Sequence, residues 1–88
     1  MNSIFNKIIS LEATGEKLRH LRNHCGFRVS EIKEYLGLSS VQSIYKWEHG
    51  VCLPAHEHLL GLSTLYNCPI NDLLVSYSIN YEPDDLIF

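Results

Sequence analysis

The stretch Gly37–Gly50, GLSSVQSIYKWEHG, decides how this chain folds. Gly37 suits the end of a short amphipathic segment, because glycine takes the left-handed conformation that closes a helix. Ser40 then stands where its hydroxyl can accept a hydrogen bond from an orphan N–H and cap the next helix, about residues 41–48. Inside that helix Ile44 and Trp47 are three apart, share one face and bury together. Gln42, Ser43, Tyr45 and Lys46 point elsewhere. A helix led by Gln42 and Ser43 and set behind a tight turn is arranged to bring its first turn to base edges in a major groove. Amides and hydroxyls suit bases, and an ammonium suits phosphate.

Working outward, Thr14 can cap a first helix of about residues 15–25, with Leu18 and Leu21 inward and Gly26 ending it. Phe27 then packs back on the core. A second helix is predicted from Val29 to Leu36, burying Ile32 and Leu36 at i and i+4. Gly50 and Pro54 bracket a loop whose Val51, Cys52 and Leu53 are expected to cover the core. A fourth helix, about 55–66, places Leu59, Leu62 and Leu65 or Tyr66 inward. Pro69 suits the first turn of a short fifth helix ending near Val75. Residues 4–9 put Ile4, Phe5, Ile8 and Ile9 at helical spacing, yet the stretch is short enough to be extended instead. After Ser76 the order Tyr77, Ser78, Ile79, Asn80, Tyr81 alternates with the period of a strand. A lone strand is unstable, so it pairs with the N-terminal segment or a second copy, or else stays unstructured.

Eighty-eight residues, 45% of them apolar, suit one small folded domain rather than a disordered chain. No apolar run approaches a membrane span, and the start lacks the apolar core of a signal peptide, so a cytoplasmic protein without membrane contact is expected. Cys25, Cys52 and Cys68 are odd in number and widely spaced, which is neither a disulfide framework nor a zinc pattern. The net charge of −3 at first argues against nucleic acid. Its distribution reverses that reading. Between residues 14 and 54, Lys17, Arg19, Arg22, Arg28, Lys33 and Lys46 outnumber Glu16, Glu31, Glu34 and Glu48, whereas residues 55–88 hold five acids and no Lys or Arg. Binding to DNA should then be moderate for a single copy and strongly salt-sensitive.

The span from about Gly15 to Leu74 resembles the lambda-repressor/Cro-like (XRE-type) helix-turn-helix family of bacterial and phage regulators. The likeness rests on several stretches together: LRHLR at 18–22, Ile32 and Leu36 before Gly37, IYKWEHG at 44–50, Leu53-Pro54, and LSTLYNCPINDLL at 62–74. It implies an all-α, five-helix DNA-binding domain over residues 14–75, between an N-terminal extension (1–13) and an acidic C-terminal tail (76–88) that holds the strand pattern. It also implies a repressor-like transcriptional regulator that binds double-stranded DNA as a homodimer, bacterial or phage-encoded and nucleoid-associated. In the family, the acid matching Glu48 pairs with an arginine of the first helix, here Arg22. Glu48 is therefore structural rather than catalytic, and Ile44 and Trp47 belong to the core.

The DNA-binding set is Arg28, Gln42, Ser43, Tyr45, Lys46 and His49. Tyr45 is suited to a phosphate or a thymine methyl, or lies free on the surface. His49 suits a phosphate contact or a charge partner at the helix C-terminus. No metal or other cofactor is expected: His20 and His24 are four apart on a helix, but no third ligand completes a site. No phosphate loop, nucleophile elbow or paired-carboxylate cleft appears, so no enzyme is expected.

Three positions depart from the family pattern. Arg28 stands where a capping Ser or Thr is usual and cannot cap, although it would add positive charge where that helix end faces a phosphate. Val29 replaces a phosphate-contacting Gln, for which Arg28 can compensate. Lys33 replaces a small Ala and must extend its ammonium outward along its own stem. The run from Gly37 to Ile44 is also one residue longer than usual. A competing reading is that the fold serves as a protein-interaction module, bound to a partner regulator or a toxin.

Overall fold

The computed structural model describes residues 5–80, with side chains described for 8–77. Along the chain run β1 (Phe5–Ile9), α1 (Leu11–Cys25), α2 (Val29–Leu36), α3 (Gln42–Glu48), α4 (His56–Tyr66), α5 (Ile70–Leu73) and β2 (Ser76–Asn80). The expected five helices are present, with a two-stranded ribbon added to them. Ile4, Tyr81 and the acids Glu82, Asp84 and Asp85 lie outside the described residues.

Glycine ends the first two helices. Gly26 (φ 78°) and Gly37 (φ 71°) occupy the left-handed region, and their N–H groups return to the last carbonyls of α1 and α2. Asn67 does the same for α4 at φ 52°, a conformation asparagine tolerates better than most side chains. Leu18, Ile32, Ile44, Trp47, Leu59, Leu62, Tyr66 and Leu73 form the buried core, with Leu21, Phe27, Leu36 and Leu65 partly buried against it.

The start of α1 differs from the expectation. Thr14 does not cap. Ser10 does, its Oγ accepting from the Ala13 N–H at 3.1 Å, and the helix begins at Leu11. Thr14 is buried inside the first turns, where its hydroxyl accepts from the Val75 N–H at 2.9 Å and donates to the Val75 carbonyl at 3.4 Å. The Ser10 N–H donates to the same carbonyl at 2.8 Å. A tertiary partner 61 residues away thus takes the hydroxyl that local pattern assigned to a cap. α5 ends at Leu73, two residues before the clasped Val75, and Pro69 stands just before its first turn rather than in it. Beyond Val75 the chain is extended, and β2 pairs antiparallel with β1, placing Ile8 opposite Tyr77 and Lys7 opposite Ser78. Residues 5–9 are therefore a strand, and the tail's partner is the N-terminal segment of the same chain.

The loop after α3 is the second correction. Val51, Cys52 and Leu53 are exposed and do not cover the core; Pro54 is buried in their place. Gly50, at φ 75°, turns the chain outward, and the Val51 N–H closes α3 on the Lys46 carbonyl at 2.9 Å. The space beside this turn is already filled by the backbone at the start of α1. A Cβ on Gly50 would stand only 3.0 Å from the Glu12 Cα.

Candidate nucleic-acid interface

The orientation of α3 follows from what it buries. Ile44 and Trp47 enter the core, and the Trp47 ring lies 5.4 Å from the His58 ring of α4. The third inward residue is Glu48. Arg22 of α1 grips it through two parallel bonds, Nε to Oε2 at 2.7 Å and Nη2 to Oε1 at 3.0 Å, while Nη1 donates to the Phe27 carbonyl at 3.3 Å. Such a fork fixes direction as well as distance. Hydrogen bonding to Glu48 holds the guanidinium even further above its already high pKa, despite partial desolvation, so Arg22 keeps its charge throughout the physiological range.

A position that sequence reasoning passed over completes the seat. Gly15 lies in α1 where a Cβ would stand 2.6 Å from both the Trp47 and the Glu48 carbonyl oxygens. No side chain fits there. The two helices cross backbone to backbone, and the absence of a Cβ sets how deeply α3 sits on α1. A glycine within a helix, where it costs about 1 kcal/mol relative to alanine, is the signal that could have revealed this close approach.

The opposite face of α3 is open. Gln42, Tyr45, Lys46 and His49 are exposed, and Ser43 is half-buried. The Gln42 N–H donates to Ser40 Oγ at 3.3 Å, so Ser40 serves the first turn although Val41 occupies the position immediately before the helix. At the other end His49 Nδ1–H donates to the Tyr45 carbonyl at 2.7 Å, which leaves Nε2 for an external partner. The Tyr45 and His49 rings lie 6.4 Å apart along one edge of the helix.

Arg28 stands before α2 in extended conformation and makes no side-chain cap. Its backbone N–H is held instead by Glu31 Oε1 at 2.7 Å. That carboxylate lies in the first turn, where it favours the positive end of the helix dipole and offsets the missing cap. The Arg28 side chain is exposed, and among the described residues neither it nor Lys46 forms an ion pair. Val29 and Lys33 are half-buried, so the lysine stem is partly covered. Among the described residues no cluster of His, Cys, Asp or Glu is arranged to hold a metal ion, and no helix is long and apolar enough to cross a membrane.

No protein-family model and no curated protein matches the chain. Among solved structures, it is similar to the high-resolution crystal structure of the restriction-modification controller protein C.AhdI from Aeromonas hydrophila, with a TM-score of 0.63 and 24% identity. The match covers 72% of this chain and 94% of that one. At this identity the likeness concerns the fold. The chain shares its fold with that controller protein, a five-helix body in which α2 and α3 form a helix-turn-helix.

Proposed function

We propose that this chain is a sequence-specific, double-stranded DNA-binding transcriptional regulator of repressor type, acting in the cytoplasm at the nucleoid. The observation that carries this is the division of α3 into two faces. Ile44, Trp47 and Glu48 anchor one face, while Gln42, Tyr45, Lys46 and His49 stand exposed on the other. In this reading Gln42 and Ser43 meet base edges from the first turn. Lys46 and Arg28 meet phosphates, Tyr45 meets a phosphate or a thymine methyl, and His49 donates or accepts through Nε2. A single domain engages one half-site with few cations, so a homodimer on two half-sites about 34 Å apart supplies the affinity a regulator needs. Nothing in this role calls for catalysis or a cofactor.

Selection of bound sequences from random duplexes, followed by binding isotherms at several salt concentrations, tests the proposal. A consensus with a log–log salt slope of several units is the expected result. Binding to no duplex at low salt would exclude it. One observation favours a second reading, a protein-interaction module. Tyr35 of α2 and Leu60 of α4 are both half-exposed, and Tyr35 reaches within 3.7 Å of where a Gly61 Cβ would lie. Salt-insensitive association with a protein, in the absence of DNA binding, would favour that module.

A further inference from the structure

The fold fixes the hydrogen-bonding role of His49, at the exposed end of α3. Its Nδ1 lies 2.7 Å from the Tyr45 carbonyl oxygen, which also accepts the His49 backbone N–H at 2.9 Å. A carbonyl oxygen only accepts, so Nδ1 must carry the hydrogen. In the neutral ring Nε2 is then a bare acceptor, and only the imidazolium offers an N–H there. The bond to Tyr45 is made in both forms. Protonation therefore changes what His49 presents outward without changing how the ring is held.

We infer that His49 meets a DNA phosphate as the imidazolium, so that each copy takes up one proton when it binds DNA. This rests on the groove-binding reading of α3 and names the chemistry of one of its contacts. Gln42 and His49 stand at opposite ends of α3, about 10 Å apart along the helix axis. With the first turn against base edges in a groove about 8.5 Å deep, His49 comes to the rim, where phosphates line the groove. A phosphodiester oxygen is negative and accepts without donating. Against the neutral ring it would meet a lone pair; against the imidazolium it meets a charge-assisted donor. Lysine and arginine contacts carry their charge throughout the neutral range, whereas an imidazole contact does not.

The surroundings leave Nε2 for such a contact. Within α3, Glu48 is turned inward and held by Arg22, while Lys46 is exposed. From the elements packed around α3 come Glu12 of α1, whose backbone lies against Gly50, the half-buried Lys33 of α2, and His58 of α4, set against Trp47 and beside Glu57. Among the described residues no carboxylate forms an ion pair with His49. The ring is exposed, and the Tyr45 ring beside it stands 6.4 Å away.

Fluorescence anisotropy of a labelled duplex, recovered by selection at about pH 6, tests this for the full chain as wild type, His49→Ala and His49→Lys, from about pH 5.5 to 8 at several salt concentrations. Wild-type affinity should fall as pH rises, by up to about tenfold per pH unit for each copy bound. The log–log salt slope should be smaller at the alkaline end by about one per copy, because one phosphate contact is lost. His49→Ala should bind at every pH as weakly as alkaline wild type, and His49→Lys should hold its affinity across the range. Circular dichroism at each pH separates unfolding from loss of binding. A wild-type affinity indifferent to pH, or an equal dependence in His49→Ala, would overturn the assignment while leaving the groove reading intact. Affinity that rises with pH at constant salt slope would also overturn it, marking Nε2 as the acceptor for a base amino group. Binding to no duplex at any pH would refute the groove reading itself and this contact with it.

Discussion

Removing Arg22 tests what holds α3 in place. The Glu48 side chain is 4% exposed and that of Arg22 15%, so the two partners stand in different environments. Arg22→Met strands a nearly buried carboxylate and also deletes the bond to the Phe27 carbonyl. Leaving one member of a fully buried pair costs about 3–5 kcal/mol. Because water reaches part of this pair, about 2–4 kcal/mol is expected, corresponding to a melting temperature lower by roughly 8 °C or more in a domain of this size. Glu48→Gln should cost less, about 1–2 kcal/mol, because the amide still accepts one bond and the guanidinium left behind can turn to solvent. Combining Arg22→Met with Glu48→Leu removes both charges, so the double variant should be more stable than the sum of the two single losses predicts. Urea denaturation of wild type, Arg22→Met, Glu48→Leu and the double, at fixed pH and salt, closes that cycle, with Glu48→Gln as a separate comparison. A coupling below about 0.5 kcal/mol would mean that the pair contributes no more than an exposed one, and that the seat of α3 is set by packing alone.

Gly15→Ala should destabilise the fold by about 1–3 kcal/mol despite the better helix propensity of alanine, because the new methyl meets two backbone carbonyls that cannot step aside. Gly61→Ala provides the contrast, since its methyl would crowd a Leu36 methyl at 2.5 Å, the end of a movable side chain, with Tyr35 at an ordinary 3.7 Å; equal losses in thermal melts would contradict the distinction. If the exposed face of α3 meets DNA as proposed, Gln42→Ala should weaken specific binding by about 1–3 kcal/mol and relax base preference, while Lys46→Ala should weaken all duplexes alike and reduce the salt slope by about one. Wild-type isotherms for both variants would remove these residues from the interface. Burial, and secondarily Glu48, raise the Tyr66 pKa above its ordinary value of about 10. Below that pH both states keep the proton and the contribution is constant; above it the unfolded chain releases the proton first, so stability should fall as pH rises toward the folded value. Tyr66→Phe should flatten this alkaline limb in denaturation series from pH 8 to 11, and an unchanged slope would dismiss the effect.

Much of this fold is written in short-range pattern. Gly26 and Gly37 end helices because their backbone preference is intrinsic, and both stand at left-handed φ. Ile44 and Trp47 are buried because three-residue spacing puts them on one side of any helix, which in turn leaves Gln42, Tyr45 and Lys46 outward. The pairing of Arg22 with Glu48 was readable only through family likeness, since no local rule joins residues 26 apart. Other features depended on where distant segments come to rest. Thr14 reads as a cap in sequence, yet Val75 engages its hydroxyl from the far end of the chain, and Ser10 caps the helix one turn earlier. Residues 5–9 fit either a helical or an extended pattern, and pairing with residues 76–80 decided for the strand. Val51 and Leu53 are apolar enough for a core, yet the start of α1 had filled the space beside Gly50 and left them in solvent. The depth at which α3 sits was likewise settled by a missing Cβ at Gly15, because close approach of two backbones is a property of helix crossing. Periodicity along a single segment carries no record of it.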